Sequence, residues 1–135
     1  MKKIFLDTNF IIDYLIREEY KQICLQFLLD AKKGGYSFYI SFLSIADFAY
    51  IARKMDSNQL SQHIETLVTI FNVIPNLKQQ ITEALKIDGN DFEDKVQYSS
   101  AIYANCNYII TRNKKDFSFS LIPVLSAEEF ISEYL

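Results

Sequence analysis

Short apolar runs alternate with amphipathic helical stretches along this chain, and that alternation constrains its fold more than any other feature. Residues 3–7, 37–41, 72–74, 108–111 and 121–125 read as strands. Between the first two, residues 9–16 read as a short helix. Tyr20, Ile23, Cys24, Phe27, Leu28 and Ala31 then recur at the spacing of one helix face, and Gly34-Gly35 stops that helix. Residues 43–54 are almost wholly apolar and predict a helix buried on most sides. Leu60, Ile64, Leu67, Val68 and Phe71 mark another helix, and Leu77, Ile81, Ala84 and Leu85 one more. Asp88-Gly89-Asn90 is turn chemistry. A helix over 92–105 follows, with Asp91 as its cap, and Ala127, Phe130, Ile131 and Tyr134 mark a closing helix. Strand–helix alternation of this kind predicts an α/β fold: a three-layer α/β/α sandwich around a mostly parallel sheet of four to five strands. At 135 residues, the whole chain is expected to form a single domain.

Half of the residues are hydrophobic, which supports a real core and argues against disorder. Cys24 and Cys106 lie far apart with no Cys-x-x-Cys spacing, and His63 is the one histidine, so a zinc site is not expected. His63 reads as solvated helix surface. The segment before Asp7 is too short for a signal peptide, and no apolar run reaches transmembrane length, so a reducing cytoplasm is the expected location and no membrane the expected partner.

In parallel sheets, ligands bind beyond the carboxyl ends of the strands. Asp7 stands at such an end, in Ile4-Phe5-Leu6-Asp7-Thr8-Asn9, with Thr8 and Asn9 available to cap the next helix. Asp47 interrupts the apolar run Ser44 to Ala52, where a carboxylate needs either a polar stripe or a task. Asp94 opens a helix three residues after Asp91, a spacing that also suits a capping box. Glu93 and Asp91 compete with it for any chemical role. Asp116 follows a strand in Thr111-Arg112-Asn113-Lys114-Lys115-Asp116, where an ordinary loop acid is the alternative. The topology brings all four acids to one sheet edge. Carboxylates gathered there repel one another, and a hard cation such as Mg²⁺ or Mn²⁺ relieves the repulsion. The formal charge of −3 is therefore compatible with a polyanionic substrate once four acids are assigned to a cation.

These segments, taken in order, resemble the PIN domain family and, within it, the small VapC-like toxins. The resemblance rests on Asp7-Thr8-Asn9, Ser44-x-x-Asp47, Phe92-Glu93-Asp94, Thr111 through Phe117, and the tail Ile122-Pro123-Val124-Leu125-Ser126 with Glu128-Glu129-Phe130. It covers essentially the whole chain. It implies a Mg²⁺- or Mn²⁺-dependent endoribonuclease with Asp7, Asp47, Asp94 and Asp116 as metal-binding, catalytic positions. Thr8, Asn9, Ser44, Thr111 and Asn113 would be supporting polar groups. The family's second acid is usually Glu; Asp47 is one methylene shorter and is expected to reach an ion through water. Arg112, Lys114 and Lys115 are candidates for contacting RNA phosphates, and Tyr50 and Tyr103 for stacking on bases. The resemblance also implies a small antitoxin partner and a homodimer. Ile12, Leu15, Ile23 and Phe27 either serve such surfaces or lie in the core. Two other readings remain: a catalytically weak PIN-fold module that binds RNA or protein, and a haloacid-dehalogenase-type phosphotransferase. The latter needs a second Asp where this chain has Asn9.

Overall fold

The computed structural model describes residues 2–135. Its sheet contains β1 (Lys3–Leu6), β2 (Ser37–Ser41), β3 (Asn72–Ile74), β4 (Tyr108–Ile110) and β5 (Val124–Leu125). The helices are α1 (Thr8–Ile16), α2 (Glu18–Lys33), α3 (Phe42–Ile51), α4 (Ser57–Ile70), α5 (Lys78–Ala84), α6 (Phe92–Tyr103) and α7 (Ala127–Tyr134), with a 3-10 turn over Lys114–Phe117. The strand order is β3-β2-β1-β4-β5 and every pairing is parallel. The expected sandwich is therefore present, with an entirely parallel sheet.

Side chains alternate across each strand, so neighbouring residues serve different layers. Ile4, Leu6, Phe38, Ile40, Tyr108 and Ile110 face one core, which α1, α2, α3, α4 and α7 close. Phe5, Ile109 and Ile74 face a second core, closed by α6 and the 3-10 turn through Tyr98, Ala101 and Phe117. Ile12, Leu15 and Phe27 are core residues of the first layer, and Ile23 packs against it. Ile12, Leu15 and Phe27 are therefore committed to the interior, while Ile23 stays partly exposed.

Helix ends follow local chemistry. Gly35 adopts φ 87°, a left-handed conformation that L side chains rarely take, and ends α2 with Tyr36 N–H bonding Ala31 O at 3.1 Å. Asn105 plays the same part after α6 at φ 61°, with Cys106 N–H bonding Ala101 O at 2.9 Å. This stops the helix at Tyr103, two residues before the sequence pattern suggests.

Three expectations are corrected. The last strand is only Val124–Leu125; Leu121 is almost fully exposed. The apolar helix α3 is not buried on most sides: it buries only the side carrying Ser44 and Phe48, while Phe42, Tyr50 and Ile51 are at least half exposed. Residues spaced four apart occupy one face, and α3 meets the sheet layer along that one line only. His63 is half-buried and packs edge-on against Phe48, with ring centroids 6.1 Å apart, instead of standing in solvent.

Candidate functional site

Strand order reverses at β1: the chain proceeds outward to β2 and β3 on one side and to β4 and β5 on the other. The crevice beyond β1 and β4 is a topological switch point, where parallel sheets place their ligands. Asp7 lies at this point. It occupies the N-cap position of α1, and its backbone oxygen accepts from Phe10 N at 3.0 Å. Its carboxylate makes no cap bond. It turns instead to the neighbouring strand end, where Thr111 Oγ1 donates to Asp7 Oδ2 at 2.9 Å; Asn9 Nδ2 adds a long bond of 3.5 Å. Neither Thr8 nor Asn9 serves as the cap. Burial pushes the Asp7 carboxyl above its ordinary range, against the Thr111 hydrogen bond, and the charge of Asp116 adds to the rise.

Asp91 caps α6 by accepting from Asp94 N–H at 3.2 Å, so the Asp94 side chain is not needed as a cap. Its carboxyl is pushed up to about 7, first by burial and then by the charges of Asp91, Asp116 and Asp7. Asp116, in the 3-10 turn, thus acts on both acids through its charge. Asp47 is half-buried, and its Oδ2 is buried without a hydrogen-bond partner. Glu93 faces it: hydrogen bonding with Asp47, followed by burial and the charges of Asp47, Asp91 and Asp94, pushes the Glu93 carboxyl up to about 7. Two acids can share such a bond only when one is protonated.

Asp7, Asp47, Glu93 and Asp94 line one cleft of about 290 Å³, with Tyr50 and Ile51 on its wall. The structure thus brings together three of the four expected acids, places Asp116 within electrostatic reach, and adds Glu93. Among the described residues, no three acid, histidine or cysteine side chains form a ready-made metal cage. The groups nevertheless fit a hard divalent cation. The donors are all oxygen, Asp47 Oδ2 has no other partner, and Mg²⁺ commonly takes one or two carboxylates and keeps several waters. Burial pushes the Cys24 and Cys106 thiols up to about 12, so both stay protonated at neutral pH and are neither nucleophiles nor thiolate ligands.

Behind the cleft lies a polar network. Thr8 Oγ1 and Ser44 Oγ are 2.7 Å apart. Gln97, which the sequence reading does not single out, donates to both at 2.9 Å and accepts from Ser41 Oγ at 2.6 Å. Asn113 contributes its backbone N–H to Thr111 Oγ1 at 3.1 Å. The only sequence signal for Gln97 is its position one turn after Asp94.

The basic candidates divide. Arg112 is engaged in an ion pair within the fold. Its guanidinium grips the buried Asp13 with bonds of 2.6 and 3.0 Å and stacks over Tyr20 at 4.1 Å. Arg17 adds a bond to Asp13 at 3.2 Å. Lys114 pairs with Glu129 at 2.8 Å on the surface. Lys115 makes no ion pair among the described residues. Asp13 also escapes the sequence reading, although an acid inside an apolar helix is the same anomaly that draws attention to Asp47.

A doubly wound parallel sheet with an acid-lined crevice at its switch point is the architecture of a ligand-binding α/β protein. Residues 3–115 match the model of the PIN domain, and the chain belongs to the PIN domain family. It is 29% identical, over 142 aligned residues, to Ribonuclease VapC1 of Aquifex aeolicus (strain VF5), covering 98% of this chain and 96% of that protein. Among solved structures, it resembles VapBC2 from Rickettsia felis bound to a promoter DNA fragment, with TM-score 0.73 and 14% identity over 90% of this chain and 96% of that one. It also resembles VapBC-1 from nontypeable Haemophilus influenzae, with TM-score 0.68 and 23% identity over 93% and 98%. These structural likenesses establish the fold. No helix among the described residues is long and apolar enough to cross a membrane.

Proposed function

We propose that this protein is a Mg²⁺- or Mn²⁺-dependent endoribonuclease and the toxin of a type II toxin–antitoxin pair. The observation that carries the reading is the convergence of Asp7, Asp47, Glu93 and Asp94 on one cleft at the switch point, with the charge of Asp116 acting on both Asp7 and Asp94. Such a site is costly for a protein to maintain unless a cation neutralises it. The likeness to a ribonuclease along nearly the full length of both chains supports RNA as the substrate.

In this reading Asp7 and Asp94 hold the ion, Asp116 adds charge, and Asp47 contributes through water. A bound divalent ion would supply Lewis acidity toward the phosphate and lower the pKa of water at the site. Thr111 fixes the direction of the Asp7 carboxylate. Glu93, raised to about 7 by Asp47 and by burial, is the group of the cleft suited to exchange a proton near neutral pH. Water adds to phosphorus, the bond to O3′ breaks, and the departing oxygen takes up a proton. On the substrate side, Tyr50 is 66% exposed at the cleft and Arg53 stacks over its ring at 4.1 Å. Together they offer a flat surface to an unpaired base, and Lys115 offers a charge to phosphate. The partners are a small antitoxin and a second copy of this chain, and the compartment is the cytoplasm.

The test is cleavage of RNA with Mg²⁺ or Mn²⁺ by Asp7→Asn and Asp94→Asn. Each is expected to fall to the background rate while remaining folded by circular dichroism. Undiminished cleavage by both variants would sink the carboxylate mechanism.

A further inference from the structure

The cleft acids sit on elements that pack in different layers. Asp7 leads into α1 and Asp47 lies on α3, both of which close the first core; Asp94 lies on α6, which closes the second. The two cores are separated by the sheet, so the apolar packing of one layer does not set the position of the other. The sheet is the frame that the two layers share, and a direct tie at the strand ends would set the gap across which Asp94 faces Asp7 and Asp47 more closely than that frame alone.

Gln97 spans that gap. Its Nε2 donates to Thr8 Oγ1 and to Ser44 Oγ, each at 2.9 Å, and its Oε1 accepts from Ser41 Oγ at 2.6 Å. Each bond ends beside an acid or on the element that carries it. Thr8 follows Asp7 directly, Ser44 precedes Asp47 by one helical turn, and Gln97 follows Asp94 by one turn. Ser41 ends β2 and caps α3. Gln97 is 1% exposed, so these bonds are made away from water, where they hold geometry most firmly.

A purely structural account of Gln97 would be that it satisfies buried hydroxyls. Without Gln97 those hydroxyls would still have one another as partners: Thr8 Oγ1 and Ser44 Oγ are 2.7 Å apart, and Ser41 Oγ, its proton released from Gln97 Oε1, lies 3.1 Å from Ser44 Oγ. What Gln97 alone contributes is the tie to α6. The geometry points to Gln97 as a positioning residue that sets the separation of the Asp94 carboxylate from Asp7 and Asp47, and so the affinity of the cleft for a divalent cation. This inference rests on the proposed metal-dependent reading. It concerns a residue that does not itself touch the ion, and partners of this kind commonly change metal affinity by about 10–100-fold.

The experiment is a calorimetric titration of Mn²⁺ into the parent protein and into Gln97→Met, which keeps the side-chain length and removes the hydrogen bonds. The expected result is at least a tenfold weaker Kd for Gln97→Met. The metal-free variant should keep a urea midpoint close to the parent's, and its RNA cleavage rate should recover at saturating Mn²⁺. A Kd within twofold of the parent's overturns the inference, as does a loss that saturating Mn²⁺ does not restore. Should Gln97→Met fail to fold, Thr8→Val keeps the side-chain shape and removes the hydroxyl that accepts from Gln97 Nε2. It is expected to weaken Mn²⁺ binding in the same direction by a smaller factor, and an unchanged Kd there overturns the inference. A parent protein that binds no Mn²⁺ overturns the metal-dependent reading as well, which separates the two failures.

Discussion

Asp94 gives up its proton near pH 7 instead of near its ordinary value of 3.8, because it is partly buried among other acids. The sign of the consequence is fixed by linkage. Across that window the folded chain binds more protons at this group than the unfolded chain does, so stability falls as pH rises. Glu93 behaves in the same way between 4.5 and about 7. The metal-free protein is therefore expected to be more stable at pH 5 than at pH 7.5, and Asp94→Asn to flatten that slope. Urea midpoints at the two pH values check this, and added Mg²⁺ should recover stability at the higher pH. A parent protein whose midpoint rises with pH over this range contradicts the assignment. At this scale the sequence was informative where an acid broke a local rule, as Asp7 and Asp47 do. Gln97 broke none: a glutamine on a helix reads as ordinary solvent-facing polarity, and only the structure shows it enclosed.

At the scale of elements, the most consequential contact is that of Arg112 with Asp13. A basic residue beside a candidate acid suggests phosphate binding, yet Arg112 reaches away from the cleft to Asp13, which is 1% exposed. It ties the loop after β4 to α1, and Tyr20 of α2 lies under its guanidinium. Removing one partner of a buried pair leaves an uncompensated charge, which costs about 3–5 kcal/mol. Because Arg17 remains beside Asp13, Arg112→Ala is expected near the lower end, about 3 kcal/mol of unfolding free energy, as measured by urea denaturation. If Arg112 were instead a phosphate contact, the variant would keep its stability and lose only RNA affinity. The exposure of α3 was hidden for a different reason. Apolar composition tells how much of a helix can be buried, but the number of neighbours decides how much is. Here Phe42, Tyr50 and Ile51 face outward although the sequence offers nothing polar in their place.

For the whole molecule, the strand–helix alternation makes the sandwich and its parallel sheet legible in the sequence. The order of the strands is not, because every run carries the same apolar signature and none encodes its neighbour. The core that joins the layers is concentrated on Phe27, which is fully buried on α2. Its ring lies 5.6 Å from Phe10, 5.9 Å from Phe38 and 5.5 Å from Phe130, so one side chain links α1, β2 and α7. Phe27→Ala is expected to cost about 3–5 kcal/mol and to lower the midpoint of a single cooperative unfolding transition. A loss below about 1 kcal/mol would show that the cluster repacks easily.

The middle place of β1 has one more consequence. This strand is bonded on both sides, to β2 and to β4, and the Asp7 N–H extends the second ladder by donating to Ile110 O at 3.1 Å. Such an inner strand opens only when the sheet as a whole comes apart, whereas edge strands and loops open far more often. The acid at its tip is thus anchored to the slowest-opening part of the molecule. The other acids of the cleft have no such anchorage: Asp94 lies in the first turn of α6 and Asp116 in a 3-10 turn, so the site couples one fixed carboxylate to others on segments that open more readily.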